Sequence, residues 1–301
     1  MNFEFGDKIP AQKRNIKILK VFNPGRAFPA ISLSGSKCKL NCAHCGGQYL
    51  KQMLQVHSPE SLIALCEKLN KQGTIGLLIS GGCDSDGHVM LDGYYDALAT
   101  IKKRTNLILN VHTGILSEKD AKQLAKTAVD FISVDLVGDS TTIQNVYGLT
   151  HKPSKYISLL KTLKKEGIKN IVPHICIGLD YGEIKGEFKA MDMISYIEPH
   201  AIVFIILIPT TGSKMVNCSP PTMNGVLKVI SHARAKFETV PIYLGCMRPR
   251  STTYRHYRQE IEISAIDIGI DGIVLPSKQT FKYAQQKGIP IKKYKTCCAV
   301  I

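Results

Sequence analysis

Ten cysteines occur in this 301-residue chain, and three of them crowd into the run Cys38-Lys-Leu-Asn-Cys42-Ala-His-Cys45. Thiolates are soft ligands for iron–sulfur clusters and zinc, and a compact loop can turn three of them toward one centre. Two readings compete. Three cysteines hold an iron–sulfur cubane with one iron left without a protein ligand, whereas three cysteines plus His44 hold zinc. Spacing favours the cluster, because zinc sites more often use paired CxxC units. The remaining cysteines differ by context. Cys246 opens Cys-Met-Arg248-Pro-Arg250, Cys297 and Cys298 are adjacent near the last residue, and Cys83 follows the pair Gly81-Gly82. Cys246, Cys297 and Cys298, with Cys83 as a further candidate, are either ligands of a second cluster or free thiols that behave as small hydrophobes. Cys66, Cys176 and Cys218 stand without partners in apolar or turn contexts and read as structural.

The elements that must position these residues are legible from periodicity. Strand-like apolar runs fall at 28–34, 75–80, 107–112, 131–136, 171–177, 201–208, 241–245 and 272–275. Amphipathic runs lie between them near 59–71, 93–104, 118–127, 155–166, 188–197, 223–237, 254–266 and 278–286, with apolar residues at helical spacing, as in Leu62, Leu65, Cys66 and Leu69. Strands alternating with helices in this way predict an α/β protein, a (β/α)8 TIM-type barrel. Active sites of such barrels are built from the loops that follow the strands. Here those loops are polar, glycine-rich or cysteine-bearing, and the three-cysteine run follows the first strand. The expected organisation is an N-terminal extension over 1–27, the barrel over 28–288 and a basic tail over 289–301 that carries the cysteine pair.

Composition bounds the function class. Lys and Arg outnumber Asp and Glu by 39 to 24, with basic residues dense at 161–169 and 292–295. That excess suits either a solvated surface or an acidic partner. No aromatic-rich basic module accompanies it and the chain lacks Trp, so no nucleic-acid partner is expected. No run is apolar for the length of a membrane span and no signal peptide is recognisable, so we expect a cytoplasmic protein with no membrane partner. Free cysteines in a reducing compartment point to metal or redox chemistry. The ending Cys298-Ala-Val-Ile301 fits a prenylation pattern, but four residues are weak evidence and we read no lipid anchor.

The CxxxCxxC run at the end of a first barrel strand resembles the motif of the radical S-adenosylmethionine superfamily. The resemblance implies that Cys38, Cys42 and Cys45 hold a [4Fe–4S] cluster whose open iron binds S-adenosylmethionine, and that reductive cleavage yields a 5′-deoxyadenosyl radical. His44 stands where the family usually has an aromatic residue near adenine. Ser80-Gly81-Gly82-Cys83-Asp84 resembles the family's GGE-type segment at the methionyl amino group, with Cys83-Asp84 replacing Glu-Pro. Asn110, His112 and Asp135 resemble positions that bind the ribose and methionyl carboxylate in biotin synthase-like enzymes, and each also suits a loop cap. His174-Ile-Cys-Ile-Gly178 resembles an adenine-flanking segment. The Cys-Met-Arg-Pro-Arg element and the vicinal cysteines look closest to the biotin synthase-like subunits of a two-protein lipoyl synthase. The cysteine triplet of single-chain lipoyl synthases is absent, and 250–254 echoes their Arg-Ser-Ser-Tyr only in part.

That likeness implies sulfur insertion into an octanoyl chain on an acidic acyl-carrier or lipoyl-carrier protein, with the auxiliary cluster as sulfur donor. It also implies a second radical subunit and an electron donor such as ferredoxin or flavodoxin. Arg248 and Arg250 are then expected to orient a carboxylate or the sulfide-bearing cluster. Two alternatives stay open: another biotin synthase-like maturase or mutase, and a non-enzymatic iron–sulfur carrier.

Overall fold

The computed structural model describes residues 16–301. The first part of the expected N-terminal extension, 1–15, lies outside the described residues. Eleven strands make one sheet: β1 (Leu19–Phe22), β2 (Ala30–Ser32), β3 (Leu54–Gln55), β4 (Gly76–Ser80), β5 (Ile108–His112), β6 (Phe131–Asp135), β7 (Ile171–Ile177), β8 (Ile202–Ile206), β9 (Ile242–Leu244), β10 (Gly272–Val274) and β11 (Ile291–Tyr294). The helices are α1 (Pro59–Lys71), α2 (Tyr95–Arg104), α3 (Glu118–Ala125), the short α4 (Ser140–Thr142), α5 (Ser154–Lys165), α6 (Glu187–Ile194), α7 (Met223–Lys236), α8 (Arg255–Ile268) and α9 (Lys278–Gln286). All eight expected strands form, in order, and every ladder is parallel. The fold is the expected α/β barrel type, widened by β1, β3 and β11.

The sheet runs β11-β1-β10-β9-β8-β7-β6-β5-β4-β2-β3, and among the described residues no ladder joins its two edges. Parallel neighbours need a crossover of a dozen or more residues. Only residues 23–29 link β1 to β2, too few for the helix that such a crossover carries. At the outer edge, Lys292 and Lys293 of β11 are exposed, which blunts an otherwise open strand edge.

Side-chain alternation splits each strand between two cores. In β8, Ile202, Phe204 and Ile206 face the helices, packing with residues such as Val226 of α7 and Met191 of α6. Val203 and Ile205 face the opposite side, with Val172, Tyr243, Phe22 and Val274. Burial on both faces explains why β8 reads Ile-Val-Phe-Ile-Ile without polar interruption. The second cluster is therefore the barrel lumen. Cys298, Ala299 and Val300 belong to it.

Helix starts are fixed locally. The Ser58 hydroxyl accepts the Ser61 N–H and Ser61 answers in a capping box before α1, and Ser117, Thr222 and Ser277 cap α3, α7 and α9. These caps set where each loop leaves the strand ends, and so where the motif residues stand.

Candidate active site

Residues 33–47, after β2, form the cysteine loop. It doubles back on itself through N–H groups of Cys45 and Gly46 that donate to the Cys42 carbonyl, at 3.3 and 2.9 Å. Two straps hold it from outside: Ala43 N–H donates to Val146 O at 2.7 Å, and Met215 N–H donates to Ala43 O at 3.2 Å. The turn brings Cys42 Sγ, Cys45 Sγ and one ring nitrogen of His44 within 4.8 Å of one another. Cys42 is buried and Cys38 and Cys45 are half-buried. A hydrogen bond from Cys42 pulls the Cys45 thiol down to about 4, with His44 adding to it against burial. The same bond, with burial, pushes Cys42 far up.

The segment after β4 closes over this loop by backbone contact. Cys83 N–H points at Cys38 Sγ from 3.3 Å, and Lys39 N–H donates to Cys83 O at 2.8 Å. Gly82 must be glycine: a Cβ there would lie 2.0 Å from Lys37 O and 2.7 Å from Cys38 Cα. Its N–H donates to Ser34 Oγ at 2.7 Å, a contact that sequence reading missed although Ser34 flanks the same loop. Asp84 is used locally, its Oδ1 accepting the N–H groups of Asp86 and His88 at 2.9 Å. Cys83 keeps company with this loop, where burial and the neighbouring Cys38 push its thiol up to about 12.

Inward-facing residues of β5, β6 and β7 line the lumen below. His112 Nε2 approaches Asp135 Oδ2 to 3.1 Å, at ion-pair distance but poorly aligned for a hydrogen bond. Their side chains keep 26% and 46% of their surface open to the recess. Burial works against the charges on both, yet the pairing wins: His112 is raised and Asp135 is held at about 2. The His174 ring lies 5.4 Å from that of His112, donates Nδ1–H to Val172 O at 3.0 Å, and is driven down to about 4 by burial and by His112. Asn110 is 1% exposed, and its Oδ1 accepts the Ser133 hydroxyl at 2.9 Å. Gly178 adopts φ +75°, and a Cβ would meet Pro221 at 2.6 Å. Its N–H donates to the buried Glu187 carboxylate at 2.7 Å, a second partner that the sequence did not disclose.

Cys246 is exposed, Cys297 half-buried and Cys298 buried, and the three lie close enough to influence one another. After burial, the nearby Cys297 is the largest influence raising Cys246. A hydrogen bond from Cys298 lowers Cys297 to about 7 against burial, and His112 adds to the effect. These thiols are spaced more widely than the group around His44.

Arg248 does not face the recess as expected. It is 2% exposed and gives its guanidinium to Glu262 Oε1 and to the carbonyls of Gly245 and Leu275. Glu262, fully buried on α8, also accepts from Arg258, Ser277 N–H and the Thr280 hydroxyl. The signal that could have revealed this was an acid at a core-facing phase beside Ile261 and Ala265. Arg250 is exposed. Cys298, at 3% exposure, packs in the lumen cluster.

A model of the radical SAM superfamily matches residues 33–191, which is over half of the chain and includes the cysteine loop. The chain belongs to the radical SAM superfamily. No curated protein sequence matches it. Several solved structures share the fold. HydG, a maturase of the [FeFe]-hydrogenase, aligns at 15% identity and TM-score 0.62 over 86% of this chain and 57% of its own. Methylornithine synthase, PylB, aligns at 13% and 0.59 over 92% and 84%. SuiB from Streptococcus suis, solved with S-adenosylmethionine, aligns at 12% and 0.55 over 80% and 52%. The chain thus spans little more than half the length of HydG and SuiB.

The superfamily implies a [4Fe–4S] cluster and S-adenosylmethionine, and this site fits them. Three thiols free of disulfides share one loop, an N–H already points at the Cys38 sulfur, and His44 Nδ1 is a buried polar atom without a protein partner beside them. N–H donors to ligand sulfur are a means by which a protein tunes a cluster's potential. Among the described residues no helix is long and apolar enough to cross a membrane.

Proposed function

We propose that this radical SAM protein inserts sulfur into an octanoyl chain carried on an acidic carrier protein, as one component of a lipoyl synthase. What supports the reading is that Cys246, Cys297 and Cys298, far apart in sequence, come near enough to influence one another's thiols, three soft ligands of the kind an auxiliary cluster uses. When bound at Cys38, Cys42 and Cys45, the first cluster supplies the electron that cleaves S-adenosylmethionine. The chain's own residues supply the rest. His44, Gly81, Gly82, Asn110, His112, Asp135, His174 and Gly178 form the proposed S-adenosylmethionine site, with the His112–Asp135 pair offering polar groups to ribose or carboxylate. Residues 28–288 are the proposed catalytic barrel, flanked by an extension and a tail that lend β1 and β11 to its sheet.

The proposed partners are an acidic lipoyl or acyl carrier drawn to the net charge of +15, a second radical subunit, and a ferredoxin or flavodoxin as electron source. The test is anaerobic reconstitution followed by reaction with an octanoylated lysine peptide, S-adenosylmethionine and a strong reductant. Mass gain of sulfur on the octanoyl group is expected. Formation of 5′-deoxyadenosine with no sulfur incorporated, by a chain holding a single cluster, would overturn it. That outcome would favour a maturase- or mutase-type radical enzyme, in which Cys298, packed in an apolar core, is a structural thiol and not a ligand.

A further inference from the structure

The end of the described chain runs into the barrel. After β11, Cys297 sits where it feels both Cys246, beyond the C-terminal end of β9, and His112, at the end of β5. Ala299 and Val300 are 0% and 5% exposed and pack in the lumen with Phe22, Val203 and Tyr243. The Ile301 carbonyl accepts Nε2–H of His200 at 2.7 Å, just ahead of the first residue of β8. His200 in turn meets Phe131, the first residue of β6, edge to face at 5.0 Å. Residues 297–301 form a tight turn inside the lumen, where Val300 N–H donates to Cys297 O at 3.2 Å, with Cys297 toward His112 and Ile301 against His200.

Barrel lumens are ordinarily filled by layers of branched side chains from the strands. Here inward positions of β2, β4 and β10 carry Ala30, Gly76 and Gly272, and Ala201 precedes β8. Phe28 and Phe22 take the space beside Gly76 and Gly272, and Ala299 and Val300 pack in the same lumen cluster as those two rings. Two adjacent cysteines at the rim of such a plug have their backbone fixed by what is buried beneath them. A free tail would let them scatter, with an entropic cost for regathering at each ligand exchange.

We propose that residues 299–301 are an axial anchor whose seating in the barrel holds Cys297 and Cys298 at the mouth beside Cys246, so that the second thiol set exists only while the anchor is seated. This rests on the reading of that set as a metal site. Val300 is the centre of the anchor and His200 its last hold. Both are positioning residues.

Two readouts on the full chain separate the anchor from the metal reading. The first is the rate at which iodoacetamide labels Cys298 in metal-free protein, which needs only local opening. V300D should speed labelling on the order of tenfold or more, H200A less, and V300I should restore the slow rate. The second is iron and sulfide retained after anaerobic reconstitution with ferrous iron and sulfide in a C38A/C42A/C45A background, where only the second set remains. V300D should abolish that residual cluster and V300I restore it. In the chain with its motif intact, V300D should still load the first cluster, which shows that the barrel has folded. Unchanged labelling in V300D overturns the anchor. Faster labelling with the residual cluster intact overturns its positioning role. Native-tail protein that retains no residual iron overturns the metal reading, and labelling then decides the seating alone.

Discussion

The two groups of thiols at the mouth of this barrel are built on different principles. Cys38, Cys42 and Cys45 lie within eight residues on a loop whose geometry is set by backbone: a doubled turn, two straps, and a glycine pressed against its flank. Cys246, Cys297 and Cys298 come from the end of β9 and from a tail past β11. Their positions depend on side-chain packing over distance, the buried Arg248–Glu262 network on one side and the apolar tail on the other. A backbone-built site tolerates distant change and fails on local sterics. A packing-built site does the reverse.

Substitutions should separate the two groups. The largest expected effect is C42A, which should reduce 5′-deoxyadenosine formation to the level of a protein-free control, while leaving labelling of Cys298 unchanged. Next comes R248A, which takes from the buried Glu262 carboxylate one of its two guanidinium partners, leaving Arg258, and should cost about 1.5–3 kcal/mol in denaturant unfolding. It should raise the reactivity of Cys246 before it disturbs the cysteine loop. Its pH dependence has a definite sign. Burial pushes the Glu262 carboxyl up, but Arg248 beside it wins and holds it below the usual range. The stabilisation is therefore fully present above the unfolded value, about 4.3, and drains away as pH falls below it, so the gap between wild type and R248M should narrow in acid.

Smaller effects belong to the loop's cradle. G82A forces a methyl against Lys37 O and should cost about 1–3 kcal/mol, with loading of the first cluster reduced and the reactivity of Cys298 unaltered. If loading by G82A matched wild type, the contrast between the groups would lose its basis. The mildest change is S34A. It removes the acceptor of the Gly82 N–H, for about 1 kcal/mol, and should lower S-adenosylmethionine cleavage severalfold without affecting residual iron in the motif-less background.

Much of this was readable from the chain itself where the physics is local. Strand and helix periods gave the order of the barrel because each element buries one face or both, and burial leaves a pattern in sequence. The short strands β1 and β11 escaped notice. Each is brief, and each gains its hydrogen bonds from a partner far along the chain, β10 or the other. Arg248 was misjudged because an arginine in a strand-end loop gives no sign of whether a carboxylate will meet it. Glu262 lies a helix away, and only packing brings α8 under that loop.

The sequence by itself determined the cysteine loop and its place after a barrel strand. A spacing of three and two intervening residues confines three thiols to one short loop, of which Cys42 and Cys45 come together with His44, and the glycines that let the neighbouring backbone approach are visible as letters. Tertiary structure alone decided the rest of the mouth. Whether Cys246 meets Cys297 and Cys298, and whether residues 298–300 hang in solvent or pack in the lumen, depends on the room that side chains of other strands leave there. That room is a property of eleven strands curled together and is not written in any one of them.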